Sequence, residues 1–117
     1  MRKSIELGKN GEKIIADFLT KEGYEVVARN WRIKGGEIDL IALAPDGLIV
    51  FVEVKSRSSA AYGHPLEAIT PEKQSRLIRL SLAWLIENKK WNYPYRIDCA
   101  AVLMSSPPEI DYRPGVI

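Results

Sequence analysis

Glu53 and Lys55 stand two residues apart in the most strand-like stretch of the chain, "VFVEVKSR" at 50–57. Successive side chains of a strand point to opposite faces. Val50, Val52 and Val54 therefore share one face, a core face, and Phe51, Glu53 and Lys55 share the other. The preceding apolar stretch, "EIDLIALA", carries Glu37 and Asp39. Between the two, "APDGL" places Pro45 and Asp46 at type I turn positions and Gly47 where a left-handed residue is needed, which predicts a three-residue hairpin loop with a glycine bulge. That loop sets Ala44 against Leu48 and, counting back, Asp39 against Glu53 and Glu37 against Lys55. Directly opposed residues have Cβ atoms about 4.5–5.5 Å apart. A loop one residue longer would send Asp39 to the other face. Two carboxylates this close repel, and one takes up a proton unless a cation sits between them. Such oxygen ligands suit Mg2+ or Mn2+. Glu12, at the edge of the apolar stripe of the first helix, is a candidate third acid or an ordinary boundary glutamate. The competing reading of the hairpin is a cross-strand charge lattice on a solvated face, in which Glu37 pairs with Lys55.

The elements that must position these groups are legible in the periodicity. Residues 5–22 read as a helix with Leu7, Ile14, Ile15, Phe18 and Leu19 on one side. Gly8 and Gly11 lie near that side and favour close backbone approach, and Gly23 stops the helix. Strands are expected at 24–33, 37–44, 48–56 and 95–104, with "KGG" turning the chain between the first two. A small-residue loop is expected at 57–69, followed by a helix at 70–90. Thr70 is its N-cap, Pro71 its first residue, and Leu77, Leu80, Ser81 and Trp84 its inward stripe. "SSPP" ends the fourth strand, and "EIDYR" is a candidate edge strand before a loose tail. The order α-β-β-β-α-β predicts an α/β domain over 1–117, a mixed sheet of four to five strands with flanking helices.

A net charge of +2 over 117 residues rules out bulk basicity as a recognition device. The distribution is more telling. Residues 37–53 hold four acids and no base, while 29–34 (Arg29, Arg32, Lys34) and 73–79 (Lys73, Arg76, Arg79) hold three bases each and no acid. An acidic centre flanked by basic segments suits a polyanion approached through a metal. Arg29, Arg32, Lys34, Arg57, Arg76 and Arg79 are candidate phosphate contacts. The single cysteine, Cys99, excludes an internal disulfide and reads as a buried small hydrophobe. His64 reads as a turn residue, Asp98 as a structural residue that caps the chain or pairs with Arg96 rather than a metal ligand, and Trp84 as core; Trp31 and Trp91 are open to packing or base stacking. The N-terminus has no apolar signal segment and no stretch reaches membrane-spanning length, so a cytoplasmic protein is expected.

Asp39 followed by "Glu53-Val54-Lys55" resembles the Asp…Glu-x-Lys signature of the PD-(D/E)xK nuclease superfamily, with its restriction-endonuclease-like fold. The signature alone is weak. The words around it are more specific: "GKNGEKIIADFLTKEGYEVVARNWR", "GEIDLIA" and "FVEVKSR" resemble the YraN-like family of small bacterial proteins, itself similar to archaeal Holliday-junction resolvases, from about Gly8 to Met104. The resemblance implies Asp39 and Glu53 as metal ligands, the carbonyl of Val54 as a further ligand, and Glu12 as the helix glutamate that assists the metal. It implies Lys55 as the group that orients or activates water and steadies phosphate charge. Lys73 or Gln74 would offer a polar group to the site or the backbone phosphate. Ile38 stands where the superfamily's usual proline would be, and the ending "EIDYRPGVI" departs from the family's expected one. The function implied is a metal-dependent DNA endonuclease, acting on branched or processed DNA and leaving a 5′-phosphate. The rivals are a nucleic-acid-binding module that does not cut and an interaction subunit of a DNA-processing complex. A symmetric homodimer would suit a junction substrate.

Overall fold

The computed structural model describes residues 2–58 and 69–117, and the side chains of all of these except 2–8. Most of the expected 57–69 loop, His64 included, lies outside the described residues. The elements are α1 (Arg2–Lys21), β1 (Glu25–Ile33), β2 (Gly36–Leu43), β3 (Ile49–Arg57), α2 (Pro71–Glu87), β4 (Tyr95–Leu103) and β5 (Glu109–Arg113). The strands form one mixed sheet in the order β1-β2-β3-β4-β5, antiparallel except for the parallel pair β3–β4. A parallel pair cannot be joined by a tight turn; α2 lies within the connection. The expected α/β class and element order hold, and "EIDYR" adds the fifth strand.

Each helix lays its apolar stripe on one face of the sheet. Ile15, Ala16 and Leu19 of α1 pack on Leu40, Val50 and Val52. Leu77, Leu80 and Trp84 of α2 pack on Ile41, Phe51 and Ile97. Alternation in β3 therefore sorts side chains between two cores rather than between core and water, and Phe51 is 1% exposed. This two-sided burial explains the near-continuous apolar run of the central strands.

The helix ends follow local chemistry. Gly23, at φ 90°, lets Tyr24 N–H donate back to the Leu19 carbonyl at 2.9 Å and closes α1. Thr70 Oγ1 accepts from the Lys73 N–H at 3.2 Å at the start of α2, with Pro71 behind it. Thr70→Ala is expected to cost about 1 kcal/mol, read as a lower urea midpoint, and Thr70→Ser to cost little; equal loss in both would show that the hydroxyl does not cap the helix.

The β2–β3 turn is the predicted one. Ala44 N–H donates to the Leu48 carbonyl at 2.8 Å, and Gly47 sits at φ 90°. The register runs Leu43↔Ile49 to Leu40↔Val52. There the two strands part. β2 stays paired with β1 as far as Gly36, and β3 stays paired with β4 as far as Arg57, but β2 and β3 share no pair beyond Leu40 and Val52. The sheet is forked, and the open end begins at Asp39 and Glu53.

The C-terminal tail is not loose, contrary to expectation. Asp98, fully buried, accepts from Arg96 Nε at 2.8 Å, Arg96 Nη2 at 3.0 Å, the Tyr112 hydroxyl and the Gly115 N–H at 2.9 Å. Val116 N–H adds a bond to the Ile97 carbonyl at 2.9 Å. A buried carboxylate needs such a full set of donors, and here they fasten the tail to β4. Among the described residues no helix is long and apolar enough to cross a membrane.

Candidate metal centre

The fork creates a problem that Asp39 solves. Once β2 leaves β3, the Val54 N–H loses its strand partner, and a buried donor must find another. Asp39 Oδ2 accepts it at 2.8 Å. The bond fixes the Asp39 carboxylate at the mouth of the fork, where it is only 9% exposed. Carboxylate oxygens of Glu12, Glu37 and Asp39 lie within 4.8 Å of one another there. Three elements converge on this point: α1 supplies Glu12, and β2 supplies Glu37 and Asp39 beside the end of β3.

Burial and like charge set the electrostatics. Asp39 is pushed up to about 7, first by burial and then by Glu53, with the Val54 bond opposing and Glu12 and Glu37 adding. Glu12 is also raised, by burial, against a hydrogen bond from Asn30 and with Glu37 and Glu53 adding. These acids are held together against their repulsion, the condition under which a proton or a cation is taken up.

Glu53 belongs to a second group. Its Oε1 receives Lys73 Nζ at 2.9 Å and Lys55 Nζ at 3.3 Å. Burial lowers Lys73, and contact with Lys55 lowers it further. Burial also works against Lys55, but its contacts with Lys73 and Glu53 leave it raised. The chain thus gathers Glu12, Glu37 and Asp39 into one cluster and Glu53, Lys55 and Lys73 into another, and Glu53 acts on Asp39 from across the fork. Glu37 is not paired with Lys55, as the charge-lattice reading required; Arg32 Nε holds it at 2.5 Å.

Two positioning residues complete the site. A Cβ on Gly11 would lie 1.8 Å from Ser56 Oγ, so the glycine lets α1 close onto β3 and deliver Glu12. Gly11 was legible as a close-approach residue; Asn30 was missed. It lies between the pairs Arg29↔Leu40 and Trp31↔Ile38, opposite Asp39, at φ 51°. Asparagine tolerates this left-handed backbone better than most residues, and its side chain reaches Glu12. The available signal was an asparagine inside a strand pattern.

Of the other expected site residues, Val54 is half-buried beside Asp39. Arg57 Nη1 donates to the Ser56 carbonyl at 3.4 Å. Arg29 and Lys34 are exposed along β1 and its turn, and Arg76 is exposed on α2. Gln74 lines a separate cavity with Ile69 and residues 113–116. Trp84 is core, as expected, and Trp91 is 70% exposed.

The donor set fits a hard divalent cation. It offers carboxylate oxygens only, convergent and under mutual repulsion, with neither histidine nor thiolate among the clustered groups.

Relatives share the chain over most of its length. A UPF0102 protein of Leifsonia xyli is 47% identical over 119 residues, covering 100% of both chains. One from Renibacterium salmoninarum is 44% identical over 118 residues, covering 99% of each. One from Beutenbergia cavernae is 50% identical over 103 residues, 88% of this chain and 86% of that one. Among solved structures, Pyrococcus furiosus SfsA in complex with Ca2+ is similar at a TM-score of 0.39 and 19% identity, over 95% of this chain and 63% of that one. The family model matches residues 11–102, the span that carries the fork and both charged groups, and bears out the YraN-like resemblance: the chain belongs to the uncharacterised protein family UPF0102.

Proposed function

We propose that the protein is a metal-dependent endonuclease that hydrolyses DNA phosphodiester bonds, on branched or processed DNA, with Mg2+ or Mn2+ as its cofactor. The observation that carries this reading is the meeting, at one fork, of a convergent carboxylate cluster and a lysine pair. Asp39 and Glu12, with Glu53 from across the fork and the carbonyl of Val54, would hold the cation; Glu37 is a further carboxylate within reach of Asp39. A divalent cation held there would polarise phosphoryl oxygens and lower the pKa of water. Lys55 supplies a positive point charge to the phosphate and can handle a proton. Lys73 shares Glu53 with it and keeps a second ammonium at hand. Arg29, Arg32, Lys34, Arg57, Arg76 and Gln74 are the surrounding groups proposed to contact the nucleic acid. A symmetric dimer would offer two such sites to a junction.

A second reading, a nucleic-acid-binding module that does not cut, is favoured by one observation: Glu37 and Glu53 already hold basic side chains. Incubation with branched, single-stranded and duplex DNA across Mg2+ and Mn2+ titrations separates the two. The enzyme reading expects cleavage that falls by about 100-fold or more in Glu53→Gln and in Lys55→Ala. Salt-sensitive binding without cleavage under either metal would leave the binding module, and no affinity for any nucleic acid would point to the interaction subunit.

A further inference from the structure

The basic residues near the fork differ in what they are engaged with. Lys55 and Lys73 are held by Glu53, and Arg32 by Glu37. Among the described residues, Lys34, Arg76 and Arg79 have no ion pair. All three meet at one place, the turn between β1 and β2. Gly35 and Gly36 have φ 105° and 151° there, and their missing side chains leave a floor for the helix. Arg79 Nη2 lies 3.5 Å from where a Gly35 Cβ would stand, and Arg76 Cδ lies 3.5 Å from that of Gly36. The stem of Arg76 and the guanidinium of Arg79 are therefore laid over the turn, to which Lys34 belongs. A guanidinium whose stem already rests on backbone loses less freedom when it binds.

These residues continue a row that begins in the site. Lys73, Arg76 and Arg79 follow one another at intervals of three along α2, and Lys73 Nζ is 2.9 Å from Glu53. With 1.5 Å rise per residue, the row extends about 9 Å from Lys73 to Arg79. One strand of a duplex advances about 3.4 Å per nucleotide along its axis, so the row matches between two and three phosphates. The row starts at Lys73, a member of the cationic group of the fork.

We propose that Lys34, Arg76 and Arg79, seated on the Gly35–Gly36 turn, form a track for the phosphodiester backbone of one DNA strand leading into the fork along α2. The proposal rests on the nucleic-acid reading above and adds where the strand runs. It does not depend on cleavage. Binding of a labelled DNA oligonucleotide is measured by anisotropy in EDTA over a salt series. Each phosphate contact removed should flatten the slope of log K against log salt by about 0.7–0.9. Arg76→Ala/Arg79→Ala is expected to lose about 1.4–1.8 of slope and to melt like the parent, since both residues are exposed. Arg76→Lys/Arg79→Lys keeps the charges and the slope. Lys13→Ala/Lys21→Ala, on the exposed side of α1, leaves the slope unchanged. An unchanged slope in the arginine double variant, an equal loss in the α1 control, or no binding by the parent protein overturns the track. Loss of cleavage alone bears on the enzyme reading and leaves the track standing.

Discussion

Asp39→Asn should abolish divalent-metal binding and DNA cleavage while making the protein more stable above pH 7. Asparagine keeps an oxygen that can accept the Val54 N–H bond, now at 2.8 Å, so the fork keeps its geometry. It loses the charge that burial, Glu53, Glu12 and Glu37 all oppose. The folded carboxyl titrates at about 7, against an ordinary value of 3.8. Between those values the folded state binds more protons than the unfolded state, so stability falls as pH rises. The loss begins near the ordinary value, continues through about 7, and is complete above it. At about 1.36 kcal/mol per unit, the difference between the two proteins at pH 8 should be on the order of 2 kcal/mol or more in favour of the variant, and near zero at low pH. Urea unfolding at several pH values, with and without Mg2+, gives the comparison. Mg2+ should raise the midpoint of the parent by mass action and leave the variant unmoved, and cleavage should fall by at least about 100-fold. A variant that is less stable than its parent at pH 8 would show that Asp39 is not held against its own charge.

Gly11→Ala should destabilise the protein although alanine is the better helix former by about 1 kcal/mol. The new Cβ would stand 1.8 Å from Ser56 Oγ and 3.1 Å from Ser56 Cβ. The hydroxyl can rotate, but the serine Cβ cannot move without the strand. Overpacking of this kind costs about 1–3 kcal/mol. The relief is specific: Ser56→Gly removes both close atoms, so the double variant should recover more than the sum of the single effects allows. Glu12 follows Gly11 directly, so displacing α1 also moves a carboxylate away from Asp39. Metal affinity, read by calorimetric titration, should fall in Gly11→Ala and return in Gly11→Ala/Ser56→Gly. A single variant more stable than its parent would mean that α1 does not close onto β3 at this point.

The turn was readable because its chemistry is local. Pro45, Asp46 and Gly47 determine a loop type, and the loop determines the register down to Leu40↔Val52. Thr70 and Pro71 likewise announced the start of α2 from adjacent residues. The fork was not readable, because it depends on outer neighbours: β1 and β4 each keep hold of a strand that its former partner has released. The same holds for the assignment of Glu53 to the lysines. Lys73 lies on the helix after the loop, and no spacing within β3 announces it. Asn30 was hidden by its strand setting, although its left-handed backbone is what an asparagine accommodates. The attachment of the tail is not legible in the sequence, because Asp98 has donors beyond its near neighbour Arg96, from Tyr112 and Gly115.

The single crossover between β3 and β4 divides the chain unequally. Glu12, Glu37, Asp39 and Glu53 all precede it, on a helix and three strands joined by short turns, whereas Lys73 arrives with α2. Near-neighbour contacts form faster than distant ones, so the first half can set these four carboxylates against Arg32 and Lys55 alone before Lys73 docks. The crossover thereby couples the timing of folding to charge neutralisation: α2 both closes a hydrophobic face and brings a third base to the acids of the fork.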